Sequence, residues 1–196
     1  NEKFLPEMEI FTTSSQVGYS SSVMNASSLG TKETVAEIVL AHWLSGTFLW
    51  DKIRTTGGAY GASATVSSIA KCFTFSTYRD PNPLKSVDVF IESLQEAAQV
   101  TLSNEECDKL ITGTYGEEFL PVSPATEGRI GLIRILASVS NEDQKDKLKN
   151  LLSVKPENKK DAAERIFQNS SNTKTTVIGD KALKKYEKKK KKKTSV

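Results

Sequence analysis

Histidine and cysteine are nearly absent from this chain of 196 residues, which has one of the first and two of the second. Cys72 and Cys107 lie far apart and neither belongs to a C-x-x-C pair. That argues against a disulfide framework or a cysteine-built zinc site and fits a reducing compartment. No stretch approaches the roughly 18 uninterrupted apolar residues that a membrane span needs. Residues 1–6 lack the basic start and apolar core of a secretory signal, and they lack an initiator methionine, so we expect a piece of a longer polypeptide. Gly30-Thr31-Lys32 lacks the glycine spacing of a phosphate loop, which argues against nucleotide binding. Asn25-Ala26-Ser27 and Asn169-Ser170-Ser171 match the glycosylation pattern but have no secretion signal beside them. There is no internal repeat.

What is present is the composition of an ordinary soluble globular protein, 37% hydrophobic and 26% charged, at a length that suits one domain. The formal charge of +3 hides an asymmetry, because residues 181–196 hold nine lysines against Glu187. The tail therefore carries +8 and residues 1–180 carry −5. A mildly acidic body is not a nucleic-acid-binding surface, which needs clustered Lys and Arg on one face. We expect a folded domain over 1–187 and a solvated, disordered lysine-rich tail over 188–196, since like charges repel.

Residues 9–15 and 16–27 read as two strands, the second alternating Val17, Tyr19, Ser21, Val23. From Thr31, helical spacing joins Val35, Ile38, Val39 and then His42 or Trp43, which places His42 at the edge of an apolar face. A shorter helical stretch over 48–54 sets Leu49 and Ile53 one turn apart, and Gly57 and Gly58 end it. Segments 59–68 and 71–78 read as adjacent antiparallel strands with Phe73 and Phe75 on one face. Asn82 as cap and Pro83 in the first turn open a helix through Val87, Phe90, Ile91, Leu94 and Ala98. Ser103 with Glu106 forms a capping box, Ser123-Pro124 opens a helix through Ile130, Ile133 and Leu136, and Asn141 with Gln144 opens another carrying Leu148, Leu151 and Leu152. The acidic pairs Glu105-Glu106 and Glu117-Glu118 are expected to face water. An amphipathic helix over 161–168, a strand over 173–179 and a short helix from Asp180 complete an α+β fold, a largely antiparallel sheet packed against several helices.

The chemistry concentrates in Leu49-Trp50-Asp51-Lys52-Ile53-Arg54-Thr55-Thr56-Gly57-Gly58-Ala59-Tyr60-Gly61. A basic side chain ends a helix and a tyrosine begins a strand, with two glycines between them. Glycine permits positive φ and close approach of another backbone, so a peptide could lie against this turn. Arg54 and Tyr60 would offer donors to its carbonyl oxygens, the atoms that become negative when an amide is attacked. Spacing alone equally allows a structural reading: Gly57 as a helix C-cap, Gly58 and Gly61 as turn or bulge residues, Tyr60 as a strand aromatic.

The run Leu49-Trp50-x-x-Ile53-Arg54-x-x-Gly57-Gly58-Ala59-Tyr60-Gly61 resembles the C-terminal half of the inverted-zinc-motif peptidases of the insulinase type, on their presequence-protease branch. The strand and turn Phe73-Thr74-Phe75-Ser76-Thr77-Tyr78-Arg79-Asp80-Pro81-Asn82, the helix after it and the Glu142-Asp143-Gln144 helix are similar to the same domain. The resemblance implies one metallopeptidase-type domain in which Arg54 and Tyr60 are catalytic, reaching a zinc centre in the N-terminal half. It also implies that Gly57, Gly58, Ala59 and Gly61 line the substrate groove. Zinc would sit on an H-x-x-E-H helix and a later glutamate, neither of which this chain has. With His42 alone it offers no metal site of its own.

The resemblance thus implies a zinc metalloendopeptidase for unfolded peptides, partnered by a zinc-bearing N-terminal half of the same protein and inactive without it. A cytoplasmic or mitochondrial-type matrix location would fit. A non-catalytic scaffold of the same fold is the alternative, and it has no need to present carbonyl-binding donors. A third reading, polyanion binding by Lys188 to Lys193, predicts salt-sensitive binding that vanishes with the tail.

Overall fold

A computed structural model describes residues 8–180 and Leu183; the lysine-rich tail and most of the expected terminal helix lie outside the described residues. The elements are β1 (Met8–Thr12), β2 (Tyr19–Asn25), α1 (Lys32–Gly46), a π-helical turn (Trp50–Thr55), β3 (Gly61–Ser67), β4 (Cys72–Tyr78), α2 (Pro83–Gln99), α3 (Asn104–Glu117), α4 (Pro124–Leu136), α5 (Asn141–Leu151), α6 (Pro156–Gln168), a short 3₁₀ turn (Asn169–Asn172) and β5 (Lys174–Gly179). The sheet runs β1-β5-β2-β4-β3; β1 and β5 are parallel and the other three pairings are antiparallel. The fold is α+β, and the last strand inserts between the first two.

Alternation decides the faces of the sheet. Ser20, Ser22 and Met24 of β2 and Phe73, Phe75 and Thr77 of β4 are buried under α1, α2 and α6, while Tyr19, Ser21 and Val23 point to the open face. Phe75 stacks on Phe90 of α2 with ring centroids 4.9 Å apart, and each buried phenylalanine contributes about 2–3 kcal/mol. The buried hydroxyls pair with one another, Ser20 with Thr77 and Ser22 with Thr175, both at 2.9 Å.

The helix α1 is buried on two sides. Leu40, Ala41 and Leu44 join the main core beneath the sheet, whereas Val35 and Val39 meet Cys107, Ile111 and Leu151 in a second cluster under α3 and α5. Ser45, the penultimate residue of α1, accepts from the Ala64 N–H at 2.9 Å and donates to the Ala64 carbonyl at 3.2 Å, closing the free edge of β3.

Several local expectations change in three dimensions. Asn82 occupies the N-cap position of α2 but its side chain caps nothing; Asp80 accepts the Asn82 N–H at 2.7 Å and the Ser86 hydroxyl at 2.6 Å instead. The box that opens α5 is Ser140 with Asp143, one residue earlier than read from Asn141 and Gln144. The helix expected over 161–168 begins at Pro156. Glu106 does form its box with Ser103. Glu117 and Glu118 do not simply face water: Glu117 lies 3.1 Å from His42 Nδ1, and Glu118 lies 2.6 Å from Lys147 Nζ. The helix α4 forms where its cap predicts, yet none of its residues is buried.

Candidate functional site

Three structural features shape the loop between α1 and β3. Leu49 and Ile53 are both fully buried, which pins this segment to the core. Between them the chain widens into a π-helical turn, closed by the Thr56 N–H on the Asp51 carbonyl at 2.9 Å. The following residues then fold back on that turn: Gly58 N–H donates to the Arg54 carbonyl and Ala59 N–H to the Ile53 carbonyl, each at 3.0 Å. A Cβ on Gly57 would stand 2.5 Å from the Ile53 carbonyl oxygen, and Gly58 has φ +80, so both positions require glycine for backbone reasons.

On this frame Arg54 stacks over Trp50, one turn earlier, with its guanidinium carbon 3.8 Å from the ring centroid. Tyr60, 69% exposed, donates its N–H to the Arg79 carbonyl at 3.3 Å. Its ring meets Tyr78 edge-on at 5.8 Å, and Tyr78 meets Tyr19 at 5.6 Å, so an aromatic row across three strands holds the phenol from one side.

Trp50, Arg54, Thr55, Gly58, Ala59, Tyr60, Val17 and Arg79 line one open groove of about 590 Å³. Of the residues the sequence singles out, Arg54, Tyr60, Gly58 and Ala59 meet there; Gly57 and Gly61 stand behind it, the first against the π turn and the second paired with Tyr78 at the start of β3. Ala59 is buried and offers the groove mainly backbone. Chemically, the groove is lined by two arginines and a tyrosine, all hydrogen-bond donors, with no carboxylate among its lining residues.

Sequence reasoning assigned no role to Trp50, Tyr78 or Arg79. The Trp50–Arg54 spacing of four residues was a readable signal. Nothing in the sequence around Tyr78 and Arg79 could have indicated their place, which depends on the pairing of β2 with β4.

His42 lies near the C-terminal end of α1, half-buried between Glu117 and the backbone of Gly113. Among the described residues, no group of three or more His, Cys, Asp or Glu side chains could hold a metal ion. No helix among them is long and apolar enough to cross a membrane.

Comparison with known proteins bears on the fold and the family. A family model described as the PreP C-terminal domain matches residues 8–180. Presequence protease 1, chloroplastic/mitochondrial, of Arabidopsis thaliana is 30% identical over 158 residues, covering 81% of this chain and 15% of that protein. The mitochondrial presequence protease of Drosophila melanogaster is 34% identical over 135 residues, covering 68% and 13%. The chain therefore spans about a seventh of the length of these relatives. Among solved structures, a protease from Helicobacter pylori and an M16 peptidase inactive domain from Pseudomonas fluorescens each superpose with a TM-score of 0.66 at 13% identity, covering 88% of this chain and 43% of theirs. These structures share the fold, and the family match over nearly all described residues shows that the chain belongs to the presequence-protease C-terminal domain family.

Proposed function

We propose that this chain is the C-terminal domain of a zinc metalloendopeptidase that degrades unfolded peptides, with Arg54 and Tyr60 stabilising the transition state. The observation that carries the reading is the acid-free groove in which both side chains are exposed and, among the described residues, neither is spent on an ion pair. A carbonyl oxygen in that groove gains negative charge as its carbon is attacked, and preorganised N–H and O–H donors are worth most at that moment. Trp50 fixes the plane of the guanidinium, the Tyr78–Tyr19 row limits the phenol, and the backbone at Gly58 leaves room for an extended peptide. The metal would be held by a zinc-bearing N-terminal half outside this chain. The relatives named as mitochondrial or chloroplastic favour a matrix-type compartment.

In the full-length polypeptide that carries this chain, Arg54→Ala and Tyr60→Phe are expected to lower kcat on an unfolded peptide by about 10²–10³-fold each, the usual effect of removing one such donor. Unchanged turnover in both variants would sink the assignment. The chain alone should hydrolyse no peptide and retain no stoichiometric zinc on metal analysis. A non-catalytic scaffold of the same fold would show no turnover even in the parent polypeptide.

A further inference from the structure

We infer that Arg79 is a second substrate-binding cation, which holds a carboxylate of the bound peptide beside Arg54. The inference rests on the reading of the groove as a peptide site and adds the chemical class that the groove selects.

The position of Arg79 is set by a β-bulge. Pairing of β2 with β4 runs from Asn25–Cys72 to Ser21–Ser76, a register that continues to Tyr19 opposite Tyr78. The next bridge joins Gly18 to Asp80, which leaves Arg79 as one extra residue on the β4 side. Its φ is +49, the left-handed region that glycine or asparagine ordinarily supplies. That conformation is imposed from both sides. Asp80 is buried, exchanges backbone hydrogen bonds with Gly18 at 2.7 and 2.8 Å, and anchors Asn82 and Ser86 through its carboxylate. A Cβ on Gly18 would lie 2.5 Å from the Ile178 carbonyl oxygen, so the opposing backbone is packed closely against β5 at this point. On the other side the Arg79 carbonyl accepts the Tyr60 N–H.

A bulge of this kind re-aims a side chain, and here the residue it carries, Arg79, is exposed and lines the same groove as Arg54. Arginine is a disfavoured choice for the backbone at this point, and it makes no ion pair or side-chain hydrogen bond among the described residues that would offset the strain. The electrostatics point the same way. Residues 1–180 carry a net charge of −5, yet the lining of this groove has two guanidiniums and no carboxylate. Planar guanidinium forks match the two oxygens of a carboxylate, which can come from the peptide's C-terminus or from an acidic side chain.

Fluorescence anisotropy on the 196-residue chain separates these sources. One labelled unfolded peptide is prepared in four forms: free or amidated C-terminus, each with one internal Asp or Asn. At low salt, the carboxylate form that is recognised should bind about tenfold tighter than its neutral counterpart, and the arm showing the difference identifies the source. Arg79→Gly should abolish that preference while melting temperature stays level or rises, because glycine accepts the positive φ without strain. Arg79→Lys, a point charge without the fork, should keep part of it. Equal affinity of the parent for all four forms overturns the inference. So does a preference that survives in Arg79→Gly, or one lost there together with cooperative melting. The roles of Arg54 and Tyr60 are read separately, by kcat on a peptide with no carboxylate, so either reading can fail alone.

Discussion

Lys159 extends from α6 to the end of α2 and is fully buried, its Nζ donating to the carbonyls of Ala97 and Val100 at 2.9 Å each. Its ammonium also lies 3.9 Å from the centre of the Trp43 ring. Those carbonyls belong to the last turn of a helix, where no intrahelical donor reaches them and a cation is favourable. Desolvation works against this arrangement and pushes the Lys159 amine down to about 8 from its ordinary 10.5. The gap corresponds to roughly 3 kcal/mol. Between pH 8 and 10.5 the unfolded chain keeps a proton that the folded chain has released, so stability rises with pH across that window. Below about pH 8 both states are charged and the whole penalty is carried; above about pH 10.5 it is gone.

Lys159→Met keeps the packed stem and removes the titration. Its offset from the parent at neutral pH combines two opposing effects, relief from burying a charge and the loss of partners for two carbonyls, so the slope is the informative quantity. Urea unfolding at a series of pH values should show the parent gaining about 3 kcal/mol more than the variant between pH 8 and 10.5. Parallel stability profiles would refute the argument, because every other lysine and tyrosine titrates in both proteins.

Two further substitutions test how the frame is held. Gly57→Ala should lower stability by about 1–3 kcal/mol in urea unfolding and also reduce turnover, since its Cβ would meet the Ile53 and Lys52 carbonyls at 2.5 and 2.9 Å and push the π turn carrying Arg54 out of place; an unperturbed midpoint would show that the turn can yield. Glu37, buried in α1, accepts the Ser27 N–H at 2.9 Å, the Ser27 hydroxyl at 2.7 Å and the Arg165 guanidinium at 3.1 Å. Glu37→Ala should cost about 3 kcal/mol by stranding these donors and Glu37→Gln visibly less, and equal effects of the two would argue that packing alone matters there.

The elements that were legible in the sequence are those whose cause is local. The capping box of Ser103 and Glu106, the Pro83 helix start and the alternation in β2 and β4 depend on neighbours within a few residues. The helix stop at Gly57 was legible for the same reason, as it answers to carbonyls only four and five residues away. Periodicity assigned α1 one apolar face where the fold uses two, because the second partner, the α3 and α5 cluster, is made of residues about 70 and 115 positions further on. The Asn82 cap was misread because Asp80, held by Gly18 across the sheet, takes its place.

From its sequence alone this protein can be read as an α+β chain with donors at Arg54 and Tyr60 and too few histidines and cysteines for a zinc site. That information lies in residue types and short spacings, which act through local hydrogen bonds and steric limits. Only the tertiary structure inserts β5 between β1 and β2, sets Tyr60 against Tyr78 and Tyr19, and places Arg79 at the groove. Those outcomes follow from strand register between segments some 50 to 160 residues apart, which is fixed by burying one face of the sheet under the helices rather than by any neighbouring residue.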